Sequence, residues 1–171
     1  MFSKELLQEL YRHMEWADAR MWAAVPVAAA DERLKGLLLH IHVVQRAFLT
    51  VWTGGDWMTV FRKPEEFSGV ADVRAWAKPY YPEAHAFIGA AADDRLSQPM
   101  TMPWANQVEK FIGRPPGVTT LGDTCFQVTS HTTHHRAQVN GRLRELGAEP
   151  PLVDYIGWVW FDKPAADWKG E

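Results

Sequence analysis

Apolar residues recur at intervals of three and four along most of this chain, and that period leaves room for little but helices. Leu6, Leu7, Leu10, Tyr11, Met14, Ala17 and Met21 fall on one face of a helix that Ser3 can cap and Pro26 must stop. Leu34, Leu37, Ile41, Phe48 and Trp52 form a second stripe, opened by Asp31 after the Ala28-Ala29-Ala30 link and closed by Gly54-Gly55. A third helix is expected over about 71–92, with Val73, Trp76, Tyr80, Phe87 and Ile88 inward and a kink or break at Pro79 and Pro82. Thr120 opens a fourth, where the Asp123 carboxylate suits the helix dipole. Leu121, Val128, Val139 and Leu146 mark its buried face, and Gly147 and Pro150 end it.

The connections carry weaker signals. Residues 56–69 have no periodicity and read as a loop. Residues 96–117 hold Pro99, Pro103, Pro115 and Pro116 and read as a long loop, with a small hairpin expected between Met100-Thr101-Met102 and 108–112. A short last helix is expected over 153–161, and the tail after Pro164 should be polar and loose. The predicted fold is all-α: an up-and-down four-helix bundle forming one domain over 1–162, with a polar tail over 163–171.

Charge and cysteine content then narrow the function classes. Eighteen Lys and Arg against 21 Asp and Glu leave a formal charge of -3, so the chain has no general field for a phosphate backbone and nucleic acid is not an expected partner. The single cysteine, Cys125, excludes an internal disulfide and a Cys-ligated zinc site and suits a reducing, cytoplasmic setting. Charges and amides interrupt the apolar residues near the start too often for a signal peptide core. The most apolar stretch carries His40, His42, Gln45 and Arg46, so no membrane span is expected.

The strongest chemical signal lies in the fourth helix. His131 and His135 are four apart, so they project one turn above the other and can share one metal ion. Both fall within the stripe of Leu121, Val128 and Val139, whereas His134 lies at its edge. Two imidazoles on an apolar face need partners for their ring nitrogens, and a shared ion satisfies two of them at once. No glutamate stands between them, so the zinc-protease pattern is absent. A third ligand can come from the second helix, where His40 and His42 lie about 100° to either side of Ile41, and periodicity does not choose between them. His13 and His85 read as isolated edge or surface histidines.

At these residues the sequence resembles the DinB-like (DinB/YfiT) family. The segments that carry the resemblance are Tyr11-Arg12-His13-Met14-Glu15-Trp16-Ala17-Asp18, Leu37-Leu38-Leu39-His40 followed by Gln45-Arg46 and Phe48-Leu49, the signature from His131 to Gln138, and Pro151-Leu152-Val153-Asp154-Tyr155-Ile156. Ala137 departs from the pattern, standing where many members have glycine. The resemblance implies a four-helix bundle holding a divalent metal, nickel or zinc, on three histidines near one end, and a homodimer. Carried over, the ligands are His40, His131 and His135, with His40 favoured over His42 by its offset from Gln45-Arg46 and Phe48. It implies neither polymerase nor DNA-binding activity.

Three neutral imidazoles leave an ion its full charge and an open position, the arrangement of a catalytic site. The resemblance then allows an S-transferase using bacillithiol, mycothiol or glutathione, a thiol-assisted isomerase or a hydrolase acting on a small molecule; the competing expectation is a metal-binding, stress-related protein without catalysis. Cys125 lies about 15 Å along the helix from His135, so the thiol must be external. Arg136 points about 100° away from His135 and reads as a surface or salt-bridging residue as readily as a substrate contact, while Gln138 lies about 60° from His135 on the same broad face, where a hydrogen bond to that ring is one reading and none is the other. Trp16, Trp22, Trp52 and Trp76 read as core anchors, and Trp57, Trp104, Trp158 and Trp160 as candidates to roof a pocket. Glu109, Asp123 and Asp154 are the candidate acid or base groups, although no spacing brings them to the histidines.

Overall fold

Ser3 Oγ accepts from the Leu6 N–H over 3.2 Å, and from that cap α1 runs over Lys4–Ala23, ending ahead of Pro26. The computed structural model describes residues 2–26 and 30–168, so most of the Ala28-Ala29-Ala30 link lies outside the described residues. Asp31 Oδ1 accepts from the Leu34 N–H over 2.7 Å and starts α2, Glu32–Trp52. Short 3-10 turns, Trp57–Val60 and Pro64–Glu66, punctuate the segment expected to be a loop. The third arm is divided into α3, Val70–Ala77, and α4, Tyr80–Ala90, with Pro79 at the break. Pro82 causes no second break, because it sits in the first turn of α4, where its missing N–H would have had no helical partner.

After the single turn of α5, Asp93–Leu96, the chain departs from expectation. Strand β1, Pro99–Met100, pairs antiparallel with β2, Thr119–Thr120, and not with 108–112. Those residues belong to α6, Ala105–Ile112, which stops at Gly113 with φ 70°. Val108, Phe111 and Ile112 are three and four apart, a helical period, and all three are exposed. Thr120 and Asp123 then form a capping box that opens α7, Leu121–Glu145. Leu146, expected inward, is the C-cap and lies exposed. The last helix, α8, covers Tyr155–Trp160, and the described residues beyond Pro164, 165–168, are not loose: the Trp168 indole N–H donates to Glu15 over 3.0 Å and its ring lies 5.1 Å from that of Tyr81. The rest of the expected tail, 169–171, lies outside the described residues.

The fold is the all-α bundle expected, built from α1, α2, α3 with α4, and α7. Its connectivity is up-down-down-up, which corrects strict alternation. Contacts Trp22–His42 and Asp18–Gln45 set α1 antiparallel to α2, and Gln45–Thr132 and Trp52–Thr124 set α2 antiparallel to α7. Lys35–Phe67, Arg46–Trp76 and Trp52–Phe87 run in step, so the third arm is parallel to α2. Two parallel neighbours cannot be joined by a tight turn, which is why the 53–69 connection is long.

Two apolar clusters fill the bundle. One gathers Leu7, Tyr11, Met14, Trp52, Tyr81 and Val128; the other Met21, Trp22, Leu34, Ile41, Val73 and Val139. Between them each long helix contributes buried polar side chains: Asp18 from α1, His42 and Gln45 from α2, Thr132 and Arg136 from α7. Arg136 Nε donates to Asp18 Oδ1 over 2.8 Å, and Tyr81 from α4 donates to Asp18 Oδ2 over 2.7 Å. The Gln45 amide donates to Asp18 Oδ2 over 3.1 Å and to Thr132 Oγ1 over 3.2 Å. Hydrogen bonds are directional where apolar contacts are not, so this belt fixes the register of α2 against α7.

Candidate metal centre

His40 on α2 and His131 and His135 on α7 lie at the level of that belt, on the outer side of the α2–α7 seam. They sit near the midpoints of both helices rather than near one end of the bundle. One ligand-capable nitrogen from each converges so that all three lie within 4.8 Å of one another. His40 Nε2 is 3.2 Å from His135 Nε2, and the ring centroids of His131 and His135 are 4.2 Å apart. A tetrahedral ion with metal–nitrogen bonds of about 2.05 Å separates its ligand nitrogens by about 3.3 Å, so the His40–His135 spacing suits one. His131 and His135 are half-buried in the seam and His40 is at its exposed edge, so the pair does not reach the bundle centre.

The structure separates His40 from His42. The His42 ring is buried between α1 and α2, where Nε2 accepts from the Trp22 indole over 3.0 Å and Nδ1 donates to Gln45 Oε1 over 2.7 Å. Both nitrogens are used, and burial holds its pKa below the ordinary value, so the ring stays neutral and unavailable. His40 has no such partners and turns to α7.

The donor set fits a cation on three counts. His135 Nδ1 donates to Gln138 Oε1 over 2.8 Å, which leaves Nε2 as a lone pair facing His40. Gln138 is itself steadied, since its amide donates to His134 Nε2 over 3.2 Å. His131 Nδ1 is shut from solvent with no hydrogen-bond partner among the described residues, a state that costs about 1–3 kcal/mol for a polar atom. Burial lowers the pKa of His40 and holds that of His131 down to about 4, with the neighbouring imidazoles adding to both, so these two rings are neutral near pH 7.

An open cavity of about 280 Å³ adjoins His40 and His131. Trp57 and Trp104 form part of its wall, as expected, with ring centroids 5.2 Å apart, and Phe48 and Phe61 extend it. Trp158 does not: it is buried against Trp16 in a third small cluster, while Trp160 is exposed on α8. Glu109, Asp123 and Asp154 line no part of this cavity, and none belongs to the histidine group. Cys125 is fully buried, and its thiol is pushed up to about 12 by burial.

Other residues take places the sequence did not reveal. His13 is buried, its Nε2 donating to the Val153 carbonyl over 3.0 Å, and is not a surface residue. His85 is an edge residue paired with Glu15 at 2.7 Å. Arg136 is neither at the surface nor in the cavity but inside the belt. Asp18 was missed, although a carboxylate between Met14, Ala17 and Met21 on an inward stripe is the signal that a buried cation must face it.

The family model of the DinB family matches residues 1–166, nearly the whole chain. Comparison with curated proteins finds no match. No helix among the described residues is long and apolar enough to cross a membrane.

Proposed function

The chain belongs to the DinB family, and from that premise we propose a metal-dependent enzyme. In this reading His40, His131 and His135 hold one divalent ion, nickel or zinc on the family resemblance, and the reaction transfers a low-molecular-weight thiol to a small electrophile, a carbon–sulfur bond forming as an anion such as chloride leaves and the thiol proton passes to solvent. The observation that carries it is the convergence of three imidazole nitrogens within 4.8 Å at the edge of an aromatic-walled cavity. Such an ion supplies Lewis acidity, making a thiolate or hydroxide available near neutral pH.

The chain's own residues do the positioning. Gln138 holds the His135 ring in the tautomer that turns Nε2 to the site, and the belt holds α2 against α7. Trp57, Trp104 and Phe48 keep water from one side of the cavity. The nucleophilic sulfur must come from outside, as bacillithiol, mycothiol or glutathione, because Cys125 is buried with its thiol protonated. Thiol transfer is favoured over amide hydrolysis because a departing amine needs a proton donor, and no carboxyl group among the described residues lines the cavity. A homodimer in the reducing cytoplasm completes the proposal; light scattering measures the dimer.

The test begins with protein purified without a histidine tag. Elemental analysis should find about one divalent ion per chain, most of it lost in His131→Ala and His135→Ala. Full retention in both variants sinks the site. The metal-loaded protein should then conjugate one of the three thiols to monochlorobimane faster than His135→Ala does. Turnover of esters or amides in place of conjugation replaces this reading with a hydrolase, and inertness towards both leaves a metal-binding protein without catalysis.

A further inference from the structure

The cavity beside the histidines has a composition more selective than its size. Apart from His40 and His131 its polar groups are the Gln127 amide and the indole N–H groups of Trp57 and Trp104; among the described residues no lysine, arginine, aspartate or glutamate lines it. The rest is Val43, Val44 and Ala47 together with four aromatic rings, Phe48, Trp57, Phe61 and Trp104. Those rings form a chain of edge-on contacts: Phe48 to Trp104 at 72°, Trp104 to Trp57 at 71° and Trp57 to Phe61 at 74°.

Each feature restricts the occupant. Glutathione carries two carboxylates and an ammonium group, and the described wall gives none of the three an oppositely charged side chain, at a desolvation cost that apolar contact does not offset. A volume of about 280 Å³ is close to twice the roughly 150 Å³ of a cavity that holds benzene, which sets the scale at two fused rings. Rings that meet edge-on present both edges and faces, and an aromatic ligand continues that series where a saturated one of equal carbon count does not.

We propose that this cavity binds a flat, uncharged, two-ring aromatic compound bearing a displaceable group such as chloride, the electrophile of the reaction, and that the thiol approaches the histidines from the solvent side, its sulfur bonding to carbon as the chloride leaves and its proton passing to solvent. The inference rests on the metal-dependent reading for the identity of the site, but aromatic binding is measurable without turnover.

Titration calorimetry at pH 7 with three ring systems tests it. 2-Naphthol should bind, decahydro-2-naphthol should bind at least about fivefold more weakly, and naphthalene-2,6-disulfonate, whose second charge has to enter the tryptophan wall, should not bind below millimolar concentration. Glutathione should not displace 2-naphthol. Trp104→Leu should weaken 2-naphthol about tenfold, and so should Phe61→Ala, whose side chain is exposed and whose loss empties no core. Equal affinity for the flat and saturated alcohols, unchanged affinity in both variants, or displacement by glutathione overturns the proposal. Elemental analysis of the same samples separates the two ideas. Metal at about one ion per chain with no naphthol binding defeats the substrate class alone, while selective naphthol binding without metal defeats the metal reading and leaves the aromatic pocket.

Discussion

Asp18 Oδ1 accepts from Arg136 Nε over 2.8 Å, with both side chains sealed from solvent at mid-bundle. The bond ties α1 to α7, and Asp18 also receives Tyr81 from α4 and Gln45 from α2, so one carboxylate on α1 is bonded to the other three arms. Asp18→Ala would strand the guanidinium, a loss of about 3–5 kcal/mol for a broken buried pair. Asp18→Leu combined with Arg136→Met should lose less than Asp18→Ala, because no charge is left unpaired. Urea denaturation measures both, and a loss below about 0.5 kcal/mol in Asp18→Ala would show that the belt does not hold the arms.

Gln138 offers a cleaner separation of site from fold. It is exposed, and its Oε1 sets the His135 tautomer while its amide reaches His134. Gln138→Ala should weaken the binding of the divalent ion by about 10–100-fold, the usual effect of removing the partner that orients a histidine ligand. Thermal stability of the metal-free protein should stay the same, since no core contact is lost. Competition with a chromophoric chelator gives the affinity, and an unchanged value would mean that His135 does not need this partner.

Much of the scaffold could be read in the sequence because it is written locally. The caps Ser3, Asp31 and Thr120 and the stop before Pro26 depend on neighbours a few residues away, and each stands where the pattern put it. The histidine pair on α7 was legible for the same reason, since a spacing of four fixes a shared face whatever the helix packs against. Arm order was not, because a stripe says which face is buried but not what buries it. The 108–112 segment was misread because in five residues a strand and one face of a helix differ little. His40 and His42 flank Ile41 symmetrically, so periodicity does not distinguish them; the family resemblance favours His40, the physical distinction is the α2–α7 contact, and Gln45, an α2 residue read only as an alignment mark, holds that contact through Thr132.

Burial lowers the pKa of His40, His42 and His131, the last to about 4. In the unfolded chain each titrates near 6.5, so between about pH 6.5 and pH 4 the unfolded state binds more protons than the folded one. The metal-free protein should therefore lose stability as pH falls through that window, with the His131 contribution exhausted below about pH 4. Urea midpoints at half-unit intervals measure the slope, and His131→Phe, which cannot be protonated, should flatten it. A slope as steep in the variant as in the wild type would assign the acid sensitivity elsewhere.

Cys125 is the one thiol in the chain, which makes its exclusion from the chemistry directly measurable. It is fully buried in the apolar cluster around Tyr11 and Leu121, and burial pushes the thiol up to about 12, so almost no thiolate exists at pH 8. A disulfide reagent such as dithionitrobenzoate should label the native protein only as fast as it opens, and the denatured protein at once. On the proposed function, Cys125→Ala should match the wild type in metal content and in thiol conjugation, at a modest stability cost from the small cavity left behind. Rapid labelling of the native protein, or loss of conjugation in Cys125→Ala with metal content intact, would return the nucleophile to the chain and remove the need for an external thiol.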